Sequence, residues 1–228
     1  MVEKFNSDGY IVLENVIDKE MLNKINSLSL FYIKRTLERQ EYSGNILYNL
    51  FRTENLIYDF PIPELLNNEL IYSFIKSILG SDFILKEILV FFSEPKNHLQ
   101  GLHSDQEIFF DKDTKLPTSI ISVQIPLMDF NFLNGGTRIV KGTHNKNIDI
   151  LSLEEKIKND KSFTPEVKKQ SCLIRDVRTL HGAGVNNSND RRAMLVLVYT
   201  KKWIGCRKKV SKDFYFNIEK TKRHVVKI

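Results

Sequence analysis

Residues 172–200 read CLIRDVRTLHGAGVNNSNDRRAMLVLVYT. An apolar run from Cys172 leads to His181, a turn rich in Gly and Asn follows, and a second run extends from Arg191 to Thr200. Short β-branched and aliphatic runs on either side of such a turn read as two strands. The same punctuation recurs upstream at 83–92, 118–128 and 137–140. Before residue 80 the spacing is helical instead. Asp18 is a candidate N-cap, and Met21, Leu22, Ile25, Leu28 and Leu30 recur toward Glu38. Pro63 in a first turn and Gly80 as a stop predict a second helix over 63–79. A short helical insert is expected at 152–159, where Ser152 and Glu155 fit a capping box. Helices followed by many short strands predict a mainly β fold, a barrel or sandwich flanked by N-terminal helices. The expected layout is one domain over 1–228. It has helical support over about 14–80, a β core over about 83–200 and a basic segment over 201–228.

Composition narrows the class. With 42% hydrophobic residues, 15 Phe and 8 Tyr among 228, the chain can bury a large core, which excludes disordered and collagen-like classes. No apolar run reaches the roughly 18–20 residues of a membrane span. The opening MVEKFNSDGY lacks the apolar stretch of a secretory signal. Cys172 and Cys206 are too few for a disulfide framework, so a reducing cytoplasm is the expected compartment. The formal charge of +6 is concentrated at the end, with ten Lys/Arg against two acids over 201–228. Trp203, Phe214, Tyr215 and Phe216 interleave these charges, so a terminal strand or helix facing water is expected rather than a nucleic-acid partner.

Five histidines bear the candidate chemistry. If His103-Ser104-Asp105 is extended, its period of two sends His103 and Asp105 to one side. Alone, the triplet reads as a surface turn after Gly101, because such triplets arise by chance in most proteins. His181, at the end of its apolar run, changes the reading. Two imidazoles and a carboxylate make the facial triad of non-haem Fe(II) oxygenases, with open positions for a bidentate 2-oxo acid and dioxygen. An arginine entering the next strand can hold the distal carboxylate of that acid with a two-pronged, charge-assisted bond. The same ligands can hold Zn²⁺ for hydrolysis, and a catalytically silent jelly-roll binding module is a third reading. The arginine discriminates, because hydrolysis needs no 2-oxo acid anchor.

The chain resembles the phytanoyl-CoA dioxygenase (PhyH) family over nearly its whole length. The resemblance rests on Phe5 with Asp8–Leu13, on His103-Ser-Asp105, on Leu133–His144, and on Asp176, His181-Gly, Asn186 and Arg191-Arg-Ala in order. It implies a double-stranded β-helix (jelly-roll, cupin-like) core. It also implies Fe(II) held by His103, Asp105 and His181, with 2-oxoglutarate and O2 as cosubstrates. Such enzymes hydroxylate an unactivated C–H bond of a small molecule and release succinate and CO2; desaturation or ring closure are variants. Asp105 speaks against halogenation, which needs that position free for halide. The 2-oxoglutarate anchor falls on Arg191 by the Arg-x-Ala pattern, the favoured choice, but on Arg192 by counting from the histidine. Strand parity leaves this open: Arg191 shares a face with Ala193, Leu195 and Leu197, and Arg192 with Met194, Val196 and Val198. Gln124, on a face with Ile120 and Ser122, aligns with a cosubstrate contact, and Thr137 is a candidate of the same kind. His144 reads as structural, His98 and His224 as solvated, Cys172 as core and Cys206 as a free thiol. Arg175-Asp176 and Lys141-Gly142-Thr143-His144 stand where relatives often carry Gly-Asp and Pro-Gly-Ser-His. The phytanoyl-CoA substrate does not transfer, because substrate recognition lives in loops.

Overall fold

The computed structural model describes residues 1–38, 47–49, 56–106, 116–145 and 161–228. Helix α1 (Val2–Asp8) precedes strand β1 (Tyr10–Leu13) and the long α2 (Lys19–Glu38). After β2 (Leu47–Asn49) come α3 (Ile62–Leu66) and α4 (Glu69–Leu79). The β core follows: β3 (Phe83–Ser93), β4 (Ile120–Pro126), β5 (Thr137–Ile139), β6 (Cys172–Asp176), β7 (His181–Ala183) and β8 (Arg192–Lys201). A short α5 (Lys212–Asn217) lies in the basic segment.

Six strands form one antiparallel sheet in the order β1-β6-β4-β8-β3-β2. β5 and β7 form a second sheet, extended by single pairs from His103 onto His181 and from Phe163 onto Ile139. Two antiparallel sheets with a cavity between them are the jelly-roll architecture expected from the sequence.

The large sheet is apolar on both faces for different reasons. On its outer face, Ala193, Leu195, Leu197 and Tyr199 of β8 join Ile88 and Val90 of β3 and Val123 of β4. This face packs on Leu22, Ile25 and Ile33 of α2 and on Phe74, Ile75 and Leu79 of α4, one continuous core. The inner face lines the cavity with Arg192, Met194, Val196 and Val198 of β8, Ser122 and Gln124 of β4, and Arg175 of β6. In β3 the register slips between Leu85 and Glu87. This β-bulge turns the consecutive Lys86 and Glu87 both toward the cavity.

Several expectations shift in detail. The helix expected over 63–79 breaks at Asn67-Asn68, because the Asn68 side chain accepts the Ile71 amide at 3.1 Å and caps a fresh helix. Asp18 caps α2 as expected, accepting from the Met21 amide at 2.8 Å. Helix α1 was not legible, since seven residues with Phe5 alone buried carry no periodicity. The strand expected over 172–180 stops at Asp176, whose carboxylate takes the amide of Arg178 (2.9 Å) and its guanidinium (2.7 Å) in a tight turn. The insert expected at 152–159 lies outside the described residues. In the basic segment Lys222 points inward, 2% exposed, bonded to Glu69 at 2.9 Å and Glu219 at 3.0 Å. Among the described residues no helix is long and apolar enough to cross a membrane.

Gly9 connects the N-terminal helix to the turn before His181. Its carbonyl accepts from the Thr179 hydroxyl (3.0 Å) and the Asp176 amide (2.9 Å). Its φ is +81°, and a Cβ there would sit 2.3 Å from Thr179 Oγ1 and 2.6 Å from His144 Nδ1. Gly9→Ala is therefore expected to destabilise the protein by more than the ~1–2 kcal/mol of a left-handed backbone alone. Urea unfolding measures this, and an unchanged midpoint would contradict the packing described.

Candidate metal centre and cosubstrate cavity

His181 begins β7, and the segment around His103 lies against it through reciprocal backbone bonds of 2.9 and 3.0 Å. The two imidazoles are thereby brought side by side, tilted at 45° with their ring centroids 4.2 Å apart. Gly182 makes the approach possible, since a Cβ there would lie 2.8 Å from the Gln100 carbonyl and 3.0 Å from that of Gly101. The Asp105 amide donates to the Val177 carbonyl at 3.0 Å, which docks the carboxylate on the same group. One ligand atom from each of His103, Asp105 and His181 lies within 4.8 Å of the others.

The imidazoles are oriented by carbonyls. His103 Nδ1 bonds the Gly101 carbonyl and His181 Nδ1 that of Thr179, both at 3.0 Å. A carbonyl only accepts, so each Nδ1 carries the hydrogen and each Nε2 presents a lone pair. Both Nε2 atoms lie 3.4 Å from an Asp105 oxygen. Burial, reinforced by the Arg175 charge, pushes His181 down to about 3, so it is neutral. His103 moves up, because its hydrogen bond to Asp105 outweighs burial. Burial disfavours the Asp105 carboxylate, yet the His103 hydrogen bond and the charge of Arg175 hold it well below the usual range. Two imidazole nitrogens and an ionised carboxylate suit a divalent transition metal.

The cavity beside this cluster measures about 410 Å³. Of the two candidate anchors, Arg192 lines it and Arg191 does not. Arg191 turns away, its Nε and Nη2 at 2.7 and 2.6 Å from Glu94, its guanidinium over the Phe92 ring. In placement the structure departs from the preference for Arg191: alternation along β8 turns Arg192 inward with Met194, Val196 and Val198, and Arg191, just before the strand, lies outside the cavity. Arg192 is 4% exposed and lies over the Phe130 ring at 5.1 Å. Its Nε and Nη1 meet no hydrogen-bond partner among the described residues. Burial pulls it down to about 10, still fully charged at neutral pH. Gln124 and Thr137 also line the cavity, where the Thr137 hydroxyl donates to Gln124 Oε1 at 2.9 Å.

Other expectations resolve simply. His144 is buried with Nε2 on the Asn6 carbonyl, His98 is exposed, Cys172 is in the core and Cys206 is exposed. His224 departs from the solvated expectation, packing edge-on against Phe83 at 5.1 Å. Sequence reasoning missed Arg175, whose guanidinium meets Asp105 at 2.7 Å. The only signal was its polarity in an apolar run.

The sequence profile of the phytanoyl-CoA dioxygenase (PhyH) family matches residues 5–194. The chain belongs to that family. It is 24% identical over 211 residues to dioxygenase aneA of Aspergillus aculeatus, covering 85% of this chain and 70% of that one. It is 27% identical over 161 residues to the iron/alpha-ketoglutarate-dependent dioxygenase ausO of Aspergillus calidoustus, covering 64% of this chain. The match spans only 52% of ausO, about half of that relative's length. AviO1 of Streptomyces viridochromogenes has a similar fold, with a TM-score of 0.70 at 18% identity over 88% of this chain and 93% of its own. Family and fold therefore agree with the resemblance read from the sequence, and the name of ausO carries the iron and 2-oxo acid chemistry expected of it.

A metal at this cluster must displace the proton that His103 holds more firmly than usual. Affinity for Co(II) is expected to weaken as pH falls from roughly 8 to roughly 6, approaching about tenfold per pH unit once His103 is protonated. Isothermal titration across that range tests it, and a flat profile would remove His103 from the ligand set.

Proposed function

We propose that the chain is an Fe(II)- and 2-oxoglutarate-dependent dioxygenase that hydroxylates an unactivated C–H bond of a small, largely apolar molecule. One observation carries this reading: a desolvated Arg192, without an acidic partner among the described residues, opens on the cavity beside His103, Asp105 and His181. A buried charge left unpaired is costly, so such a group marks a place where an anion binds. A zinc hydrolase would have no use for it.

When bound, the iron with 2-oxoglutarate and dioxygen supplies the oxidation of a C–H bond, with succinate and CO2 released. His103 and His181 offer neutral Nε2 atoms and Asp105 a carboxylate oxygen to the metal. Arg192 pairs with the distal carboxylate of 2-oxoglutarate, and the apolar walls strengthen that pair by excluding water. The Gln124–Thr137 pair stands on the cavity wall as a hydrogen-bonding rung for the same cosubstrate. Leu89, Phe91, Ile120, Val196 and Val198 give the substrate an apolar bed. Lys86 and Glu87, turned inward by the bulge, meet a polar group on it. Binding the substrate against these walls orients one C–H bond toward the metal and keeps bulk water away.

Release of succinate from 2-oxoglutarate with Fe(II), screened across apolar metabolites that carry one polar group, tests the activity. Its absence with every compound, and without any, would contradict the reading. The anchor is tested separately. Loss of one partner of a desolvated charged pair costs about 2–5 kcal/mol, or roughly 30-fold and more in affinity. Lys cannot reproduce the guanidinium fork. Arg192→Lys should therefore raise the 2-oxoglutarate KM by about that factor, while Arg191→Lys leaves it near wild type. The reverse order would return the anchor to Arg191.

A further inference from the structure

We infer that Arg175 is a positioning residue for the metal centre, one guanidinium fixing both Asp105 and the carbonyl that orients His181. The inference rests on His103, Asp105 and His181 being the metal ligands.

Arg175 sits on β6, opposite Tyr10 of β1 and Ser122 of β4, with its side chain on the inner face. It is 2% exposed, among the largest fully buried side chains. Nη2 donates to Asp105 Oδ2 at 2.7 Å. Nη1 faces the carbonyls of Asp176 and Val177 at 3.3 Å and that of Thr179 at 3.4 Å. The Thr179 carbonyl is the one that accepts from His181 Nδ1, and the Val177 carbonyl the one that accepts from the Asp105 amide. The 177–179 turn thus holds two of the three ligands, and Arg175 clamps that turn from within. Asp105 most needs the support. Its side chain is only partly covered and it lies on no strand, yet it must present one oxygen in a fixed direction. With Oδ2 committed to Arg175, Oδ1 faces His103 Nε2 at 3.4 Å, where a cation would take the place of the shared proton.

A role in anion binding fits less well. Both terminal nitrogens are engaged, and Nε is closed to solvent without a partner among the described residues. The Arg175 charge is thereby compensated by Asp105 and by three carbonyls, in contrast to Arg192. Groups that hold a metal's ligands from behind change metal affinity by about 10–100-fold when replaced.

Charge and geometry act in opposite directions here. The Arg175 cation repels a metal, whereas its fork orients the ligands. Arg175→Lys keeps the charge and loses the fork, so it isolates positioning. Isothermal titration with Co(II), together with the Co(II) d–d absorption spectrum, reads the site without turnover, at a temperature where circular dichroism shows each variant folded. Arg175→Lys is expected to weaken Co(II) binding by about 10–100-fold and to alter the spectrum. The weakening should shrink sharply in an Asp105→Ala background. Wild-type affinity and spectrum in Arg175→Lys, or the same loss in both backgrounds, would overturn the inference. If Lys is not tolerated in the fold, Arg175→Met serves, and an unchanged spectrum there would overturn it equally. Should the wild type bind no Co(II), or His181→Ala bind it as tightly, the ligand assignment itself falls instead.

Discussion

A strand buried on both faces must satisfy two environments with one alternating series of side chains, and β8 does so over ten residues. Ala193, Leu195, Leu197 and Tyr199 belong to the core shared with the helices, and Arg192, Met194, Val196 and Val198 line the cavity. A slip of one residue would exchange the two sets and carry Arg192 into the helix interface. The partners β3 and β4 lock that register along nearly the full strand. The placement of Arg192 on the cavity and the packing of α2 and α4 both follow from this single alternation.

The candidate metal-ligand cluster is assembled by backbone rather than by side-chain attraction. Reciprocal amide–carbonyl bonds between His103 and His181 align two segments far apart in the chain, and Gly182 removes the Cβ that would hold them apart. Carbonyls of Gly101 and Thr179 then set both imidazole tautomers. The ligands are therefore pre-oriented by the sheet before any cation arrives, which lowers the ordering needed on binding.

Two buried arginines on the inner face meet different fates. Arg175 is surrounded by acceptors and by Asp105, so its charge is compensated within the protein. Arg192 has an aromatic ring beneath it and two nitrogens without partners among the described residues. Compensation from within suits a residue that holds others in place. Its absence suits one that waits for a ligand.

Much of this was readable before folding. The strands at 83–92 and 191–200 and the cap at Asp18 are carried by local spacing, which a linear sequence records directly; the grouping of His103 and Asp105 with the distant His181 came from the family resemblance instead. The choice between Arg191 and Arg192 is not local. Both faces of β8 are apolar, so alternation sorts the residues into two sets without naming which set faces helices. Only the packing of α2 and α4 on one side of the sheet decides that. The helix over 63–79 shows the same limit at shorter range, since the Asn68 cap could be read only once the turn had formed. Arg175 is the clearest case. In sequence it is an anomaly in an apolar strand; its two roles exist only because tertiary folding brings Asp105 and the Thr179 carbonyl within reach of one planar group.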